Sequence, residues 1–295
     1  MRRQIIVVFL SLFWLVLPNA WSAERGALFK VVGSGHTMYL FGTMHVGQPG
    51  FYPLEPRIVQ AVATASTLAL EIDPAADPAM LTQALNAYGM SEPGKEGEEM
   101  GPALKARLNK ALGKAGMNPA IAARFKPWLV ATMLAMGEYA AQGYRADLSV
   151  DAHLASLARS SQVRVIGLET PTSQMSLFNR LSHAQQLKLL EESLELAESG
   201  KQSGEVRQIV EAWRTADKAA FEVIAARAES DMSVSGRFLK NVLIDERNAQ
   251  IAGKLVDLIK RENHSVAAIG VLHLIGSNSV PSLLAARGMT VERVY

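Results

Sequence analysis

The chain has 295 residues, 49% of them hydrophobic, with 30 Lys and Arg against 28 Asp and Glu, and it contains no cysteine. That length and apolar content suffice for one large core, while the missing cysteine excludes disulfides, thiolate zinc sites, iron–sulfur clusters and cysteine nucleophiles. The near-balanced charge gives no basic surface of the kind that nucleic-acid partners require, so none is expected.

Residues 1–23 read as an export signal. Arg2 and Arg3 give the positive start, 5–17 is an apolar run broken only by Ser11, and Ala20-Trp21-Ser22 places small residues around a cleavage site after Ser22 or Ala23. The run falls short of the ~20 residues that span a bilayer; the alternative is an uncleaved N-terminal anchor. Arg2 and Arg3 are the segment's only charges, so the formal +2 of the whole chain falls to zero without it. The mature protein is expected in the bacterial periplasm or secreted, with no membrane span left after cleavage.

Residues 24–295 read as one α/β domain. Short apolar strands are predicted at 27–32, 37–44, 67–72, 163–168, 266–272 and 290–294, the first two joined by a Gly33-Ser34-Gly35 hairpin turn. The later strands are nearly continuous hydrophobic runs, as in a mostly parallel or mixed sheet covered on both faces. Helical spacing marks 79–87, 103–114, 127–141 and 236–261, and Ser182-x-x-Gln185 is a capping box opening a helix towards Glu198. The Gly-, Pro- and Glu-rich stretch 91–102 reads as a mobile loop. Helical insertions over about 79–148 and 173–235 are placed to cap the carboxyl edge of the strands.

Two strands end alike: Phe41-Gly42-Thr43-Met44-His45 and Ile269-Gly270-Val271-Leu272-His273. Each is a hydrophobic run, a glycine, two residues and a histidine. Two further strands end in acids, Glu71 and Glu169. If these strands run parallel, two imidazoles and two carboxylates meet at one sheet edge, where α/β folds build their sites. Such nitrogen and oxygen donors suit a divalent ion (Zn, Mn, Co or Fe) that would activate water and polarise a carbonyl, with one glutamate as general base. Gly42 and Gly270 leave room for close approach, and Gly47 and Gly276 relieve the turns after the histidines. The plain structural readings are hydrogen-bonded histidines and glutamates that cap helices or pair with arginine. Asp73 reads as a turn residue. Asp151 reads as a first-turn helix acid, or as a group standing behind the site. Arg247, mid-helix, reads from its spacing as an exposed ion pair. Trp128 reads as helix packing, and Met133 and Met136 as core. Walker, Gly-x-Ser-x-Gly, His-Glu-x-x-His and Gly-x-Gly-x-x-Gly motifs are absent from the sequence.

At these residues the chain resembles the TraB/GumN family, which includes the Tiki-type metalloproteases. The matches are 40–47 around His45, Leu70-Glu71, Ser149-Val150-Asp151 leading to Gly167-Leu168-Glu169-Thr170 and Gln174, Asp245-Glu246-Arg247-Asn248, and 269–276 around His273. The resemblance implies a fold shared with erythromycin-esterase-like and ChaN-like proteins. It implies a site in which His45, His273, Glu71 and Glu169 serve a divalent metal, and it brings Arg247 into the catalytic group with Glu71 and Glu169. It leaves open which glutamate is ligand and which is base. One departure concerns the second motif, where Ser279 replaces the family's final glycine. The expectation is a periplasmic metal-dependent hydrolase, a peptidase acting on peptide or protein substrates. The rival is a non-catalytic protein that binds a peptide, haem or metal.

Overall fold

A computed structural model describes residues 25–92 and 100–295. The segment read as an export signal and most of the 91–102 stretch lie outside the described residues.

All six predicted strands form: β1 (Leu28–Gly33), β2 (His36–Thr43), β3 (Thr67–Leu70), β4 (Arg164–Gly167), β5 (Ser265–Gly270) and β6 (Thr290–Arg293). They make one mixed sheet in the order β4-β3-β5-β2-β1-β6. The four strands on one side, β4, β3, β5 and β2, are mutually parallel, and β1 and β6 add an antiparallel flank. Burial explains the pattern of residues. Every position of β3 is buried and β5 is buried up to its terminal glycine, which is why both run apolar after their opening residues, Thr67 and Ser265. The edge strands β4 and β6 have no fully buried position.

Parallel pairing sends the carboxyl ends of β2, β3, β4 and β5 to the same edge, and each delivers one of the predicted site residues within three positions of its last residue. Helices pack around the sheet over a core that includes Phe41, Leu68, Val266, Leu255 and Trp213. A second apolar cluster lies wholly among the insertions, where Leu108, Leu112, Val130, Leu190 and Leu194 hold the Pro102–Lys114, Pro127–Ala141 and His183–Glu198 helices together. Tyr139, on the middle helix of the three, packs on the main core, so the insertion is seated on the sheet domain. Trp128 is buried and stacks on Phe178 with ring centroids 4.1 Å apart.

Two local features differ from expectation. The 236–261 segment is continuous but not uniform: Val234–Phe238 and Arg247–Arg261 are α-helical, and Leu239–Glu246 between them is π-helical. The Lys240 ammonium meets Asp245, five residues on, at 2.6 Å, a pairing that follows the wider i to i+5 turn. Gly47 does not relieve a turn; a Cβ there would sit 1.8 Å from the Leu148 carbonyl oxygen, so this glycine permits two backbones to touch. Gly276 does adopt a left-handed φ of +83°, as a turn glycine should. Ser279 caps the Val280–Ala286 helix by accepting from the Ser282 N–H.

Candidate functional site

The β3–β4 pairing runs one step past the strands: Leu168 N donates to Leu70 O and Glu169 N to Glu71 O, each at 2.7 Å. The two glutamates therefore stand side by side on a fixed backbone, both with side chains about 5% exposed. Two like charges this close need a counter-charge. Arg247 supplies it. Its Nη2 donates to Glu71 Oε2 and, at 2.6 Å, to Glu169 Oε2, while Nε donates to Glu169 Oε1 at 2.9 Å. Nη1 donates to the Leu243 carbonyl within the π-helical stretch at 3.1 Å. Arg247 is thus no exposed ion pair, as its spacing alone suggests; its side chain is 11% exposed and locked between two acids. Gln174 donates to both glutamates as well, at 3.3 and 3.0 Å. It is aimed there by the Pro171–Ser176 helix, which a reciprocal Thr170–Ser173 capping box opens directly after Glu169.

The histidines close the site from the other strands. His45 Nε2 and His273 Nε2 each lie 3.7 Å from Glu71 Oε1. The same oxygen accepts a 2.6 Å hydrogen bond from the Gly270 N–H. A Cβ on Gly270 would lie 3.1 Å from that oxygen and 3.3 Å from His45 Nε2, so the glycine at the end of β5 is what lets strand, acid and imidazole converge. Behind each ring a partner fixes its tautomer. His45 Nδ1 donates to Asp151 Oδ2 at 3.0 Å, and Thr43 donates to Asp151 Oδ1 at 2.7 Å. His273 Nδ1 donates to Asn248 Oδ1 at 2.6 Å, and the Asn248 amide donates to the Asn278 carbonyl at 2.8 Å. Both Nε2 atoms then face Glu71 without a hydrogen-bond partner among the described residues.

The electrostatics follow from this packing. Burial acts to raise the Glu71 pKa, but the two imidazoles, Arg247 and the Gly270 N–H hold it down at about 2. Burial dominates at His273 and pushes its pKa down to about 4, leaving the ring neutral at pH 7. The fixed charge of Arg247 is therefore the steadier reason that Glu71 stays ionised. Crowding alone would lower the His45 pKa, but the Asp151 carboxylate, and then Glu71, raise it above the ordinary value. That ring is 61% exposed and opens to the solvent.

The structure thus brings together all five residues singled out in the sequence: His45, Glu71, Glu169, Arg247 and His273. Asp151 belongs with them, standing behind His45. Asp73 lies outside, paired with Arg159 at the surface. Asn248, Thr43 and Gln174 also build the site, although sequence reasoning gave them no role. For Asn248 a signal existed. It lies on the buried stripe of its helix with Ile251, Ala252 and Leu255, and a polar residue on an apolar stripe needs a partner.

The profile of the TraB/PrgY/gumN family matches residues 27–293. The chain belongs to that family. Among curated proteins it is similar to the uncharacterised protein YbaP of Escherichia coli (strain K12), at 22% identity over 277 residues covering 91% of this chain and 97% of that protein. It is likewise similar to YbaP of Shigella flexneri, at 23% identity over 278 residues with the same coverage. No solved structure matches. The matched range includes every residue from His45 to His273 that builds the site. Among the described residues no helix is long and apolar enough to cross a membrane.

Proposed function

We propose that this member of the TraB/PrgY/gumN family is an exported, metal-dependent hydrolase, a peptidase in its chemistry, and that His45, His273 and Glu71 hold its divalent ion. One observation carries the reading: two partnerless imidazole nitrogens face a single carboxylate oxygen at 3.7 Å each. That separation is too long for a hydrogen bond. It is a little wider than the roughly 3.3–3.6 Å between two tetrahedral ligands each bonded at ~2.0–2.2 Å, so a small inward shift of the side chains would bring them onto one ion. The backing of each Nδ1 by Asp151 or Asn248 is the arrangement that orients metal-binding histidines. The donor set of imidazole and carboxylate suits Zn, Mn or Co. Among the described residues no three His, Asp or Glu side chains are already arranged to hold an ion; Arg247 takes Glu71 Oε2 and both oxygens of Glu169, so the ion would have to draw His45, His273 and Glu71 Oε1 together.

Such an ion would polarise a substrate carbonyl and acidify a water. The residues around it divide the remaining tasks. Glu71 is the acidic ligand, because its Oε1 faces both rings. Glu169 is the proton acceptor, because its contacts are to Arg247 and Gln174 rather than to the histidines. Arg247 orients both carboxylates and presents positive charge to a developing oxyanion. Asp151 and Asn248 hold the rings so that Nε2 points inward.

The test is reconstitution. Protein stripped with EDTA, reloaded separately with Mn, Co and Zn and offered a peptide library, should cleave only when loaded, and His45→Ala and Glu169→Gln should abolish cleavage. A loaded protein that leaves the library intact refutes the peptidase and favours a ligand-binding role. Export is tested by mass spectrometry of the mature N-terminus, expected at Ala23 or Glu24; an intact Met1 would mean a retained anchor.

A further inference from the structure

The groove into which His45, Arg247 and His273 open is walled mostly by hydrocarbon. Met44 and Val46 come from the segment carrying His45, Met136 and Tyr139 from the Pro127–Ala141 helix, and Leu239 and Leu243 from the π-helical stretch. Met136, which reads as core in the sequence, and Leu239 are each 38% exposed. Isolated exposed apolar side chains are ordinary; two lining the same groove beside a polar cluster are not scattered. No acidic side chain lines this groove among the described residues, since Glu71 and Glu169 are turned to Arg247 behind it. Its volume, about 260 Å³, lies below the ~300–1,000 Å³ of sites for drug-sized ligands and cofactors. It has room for a bulky side chain and not for a haem.

The groove does not stop there. Leu239, Ile244 and Leu272 also line a narrower cavity of about 50 Å³. That cavity in turn shares Ala225, Glu229, Ile275, Gly276 and Ser277 with an open one of about 470 Å³, so beyond the apolar groove the row becomes more polar. The three follow the 271–278 segment away from the histidines. Cavities adjoining in a row suit an extended chain rather than a compact molecule.

We infer that this groove binds an extended polypeptide and buries one large aliphatic or aromatic side chain of it between Met136, Leu239 and Leu243, next to the histidine pair. The inference rests on the hydrolytic reading of that pair and adds its substrate class: unfolded or flexible segments carrying bulky apolar residues. A folded surface cannot thread the narrow middle cavity, and an acidic side chain would lose its hydration in the apolar wall.

The experiment titrates four ten-residue peptides, identical except for a central Leu, Phe, Glu or Lys, into the full-length mature protein freed of metal. Isothermal calorimetry should give the Leu and Phe peptides at least tenfold lower Kd than the Glu and Lys peptides. Met136→Lys and Leu239→Lys, both at half-exposed positions that tolerate charge, should cut this preference below threefold. Val223→Lys, at a site 57% exposed and away from the groove, should leave it intact. Equal or undetectable binding of all four peptides, or full preference retained in both lip variants, overturns the inference. The titration needs no turnover, so the two readings fail separately. A protein that binds with this preference but cleaves nothing loses the hydrolase and keeps the groove. One that cleaves without regard to the central residue does the reverse.

Discussion

Replacing Arg247 by Met keeps most of the hydrocarbon stem and removes the charge. In the native site the guanidinium donates to Glu71 and twice to Glu169, and both carboxylates are about 95% buried. Without it they remain adjacent on the paired β3–β4 backbone with Gln174 as their shared donor. Removing one partner of a buried ion pair costs about 3–5 kcal/mol, because the other is left charged and unsolvated. For a domain of this size that corresponds to a Tm drop of roughly 6–20 °C. The pH dependence fixes the cause. In the wild type the Glu71 pKa is depressed, so its contribution is present above the unfolded carboxylate value and is lost as pH falls towards 2. In the variant two neighbouring carboxylates raise each other's pKa, so mild acid relieves the repulsion. The gap between wild type and Arg247→Met should therefore narrow from pH 7 to pH 5. Adding Glu169→Gln to the variant should recover much of the loss. Urea denaturation followed by circular dichroism, in EDTA, measures all three. A single variant within about 1 kcal/mol of wild type at pH 7, or a gap that does not change with pH, would refute the reasoning.

Other substitutions probe the remaining contacts. Asp151→Asn should weaken Mn, Co or Zn affinity by about 10- to 100-fold in calorimetric titration, since the ring it orients is freed; Asp147→Asn, at the surface, should not change it. Asn248→Ala leaves the buried His273 Nδ1 and the Asn278 carbonyl without partners and should cost about 1–3 kcal/mol in denaturation experiments besides weakening metal binding. Gly270→Ala should reduce metal affinity more than stability, whereas Gly47→Ala, whose Cβ meets backbone at 1.8 Å, should lower Tm sharply and leave little folded protein. In metal-free protein the unfolded chain protonates His273 near pH 6.5 while the folded ring resists until about 4. Stability should thus fall as pH drops between those values, and His273→Asn should flatten that part of the profile.

Much of this site could be read in the chain because strand ends are conspicuous in sequence. An imidazole or carboxylate directly after a fully apolar run, as at Glu71 and His273, is a polar group where burial makes polarity expensive. The buried strands β3 and β5 were legible for the same reason, and the others as short apolar runs bounded by turn residues. Arg247 was not legible from spacing. Its position depends on the π-helical stretch before it and on two acids far away in the chain, neither of which has a local signature. Asp151 and Asn248 fall between these cases. Each sits on the buried stripe of an amphipathic helix, Asp151 with Leu154, Ala155 and Ala158, but each is also a common helix residue. Their roles emerge only when the ring each one supports is seen beside it. The exposure of Met136 was hidden because an apolar residue at helical spacing reads as core whether the facing surface is protein or an open groove.

The central claim is that His45, His273 and Glu71 share one ion. Cobalt titrated into EDTA-treated protein and followed by its visible absorption tests this directly. The account predicts one equivalent bound by wild type and by Glu169→Gln, and loss of the band in His45→Ala, His273→Ala and Glu71→Gln. A wild type that shows no band, or a band that survives in all three ligand variants, would contradict it.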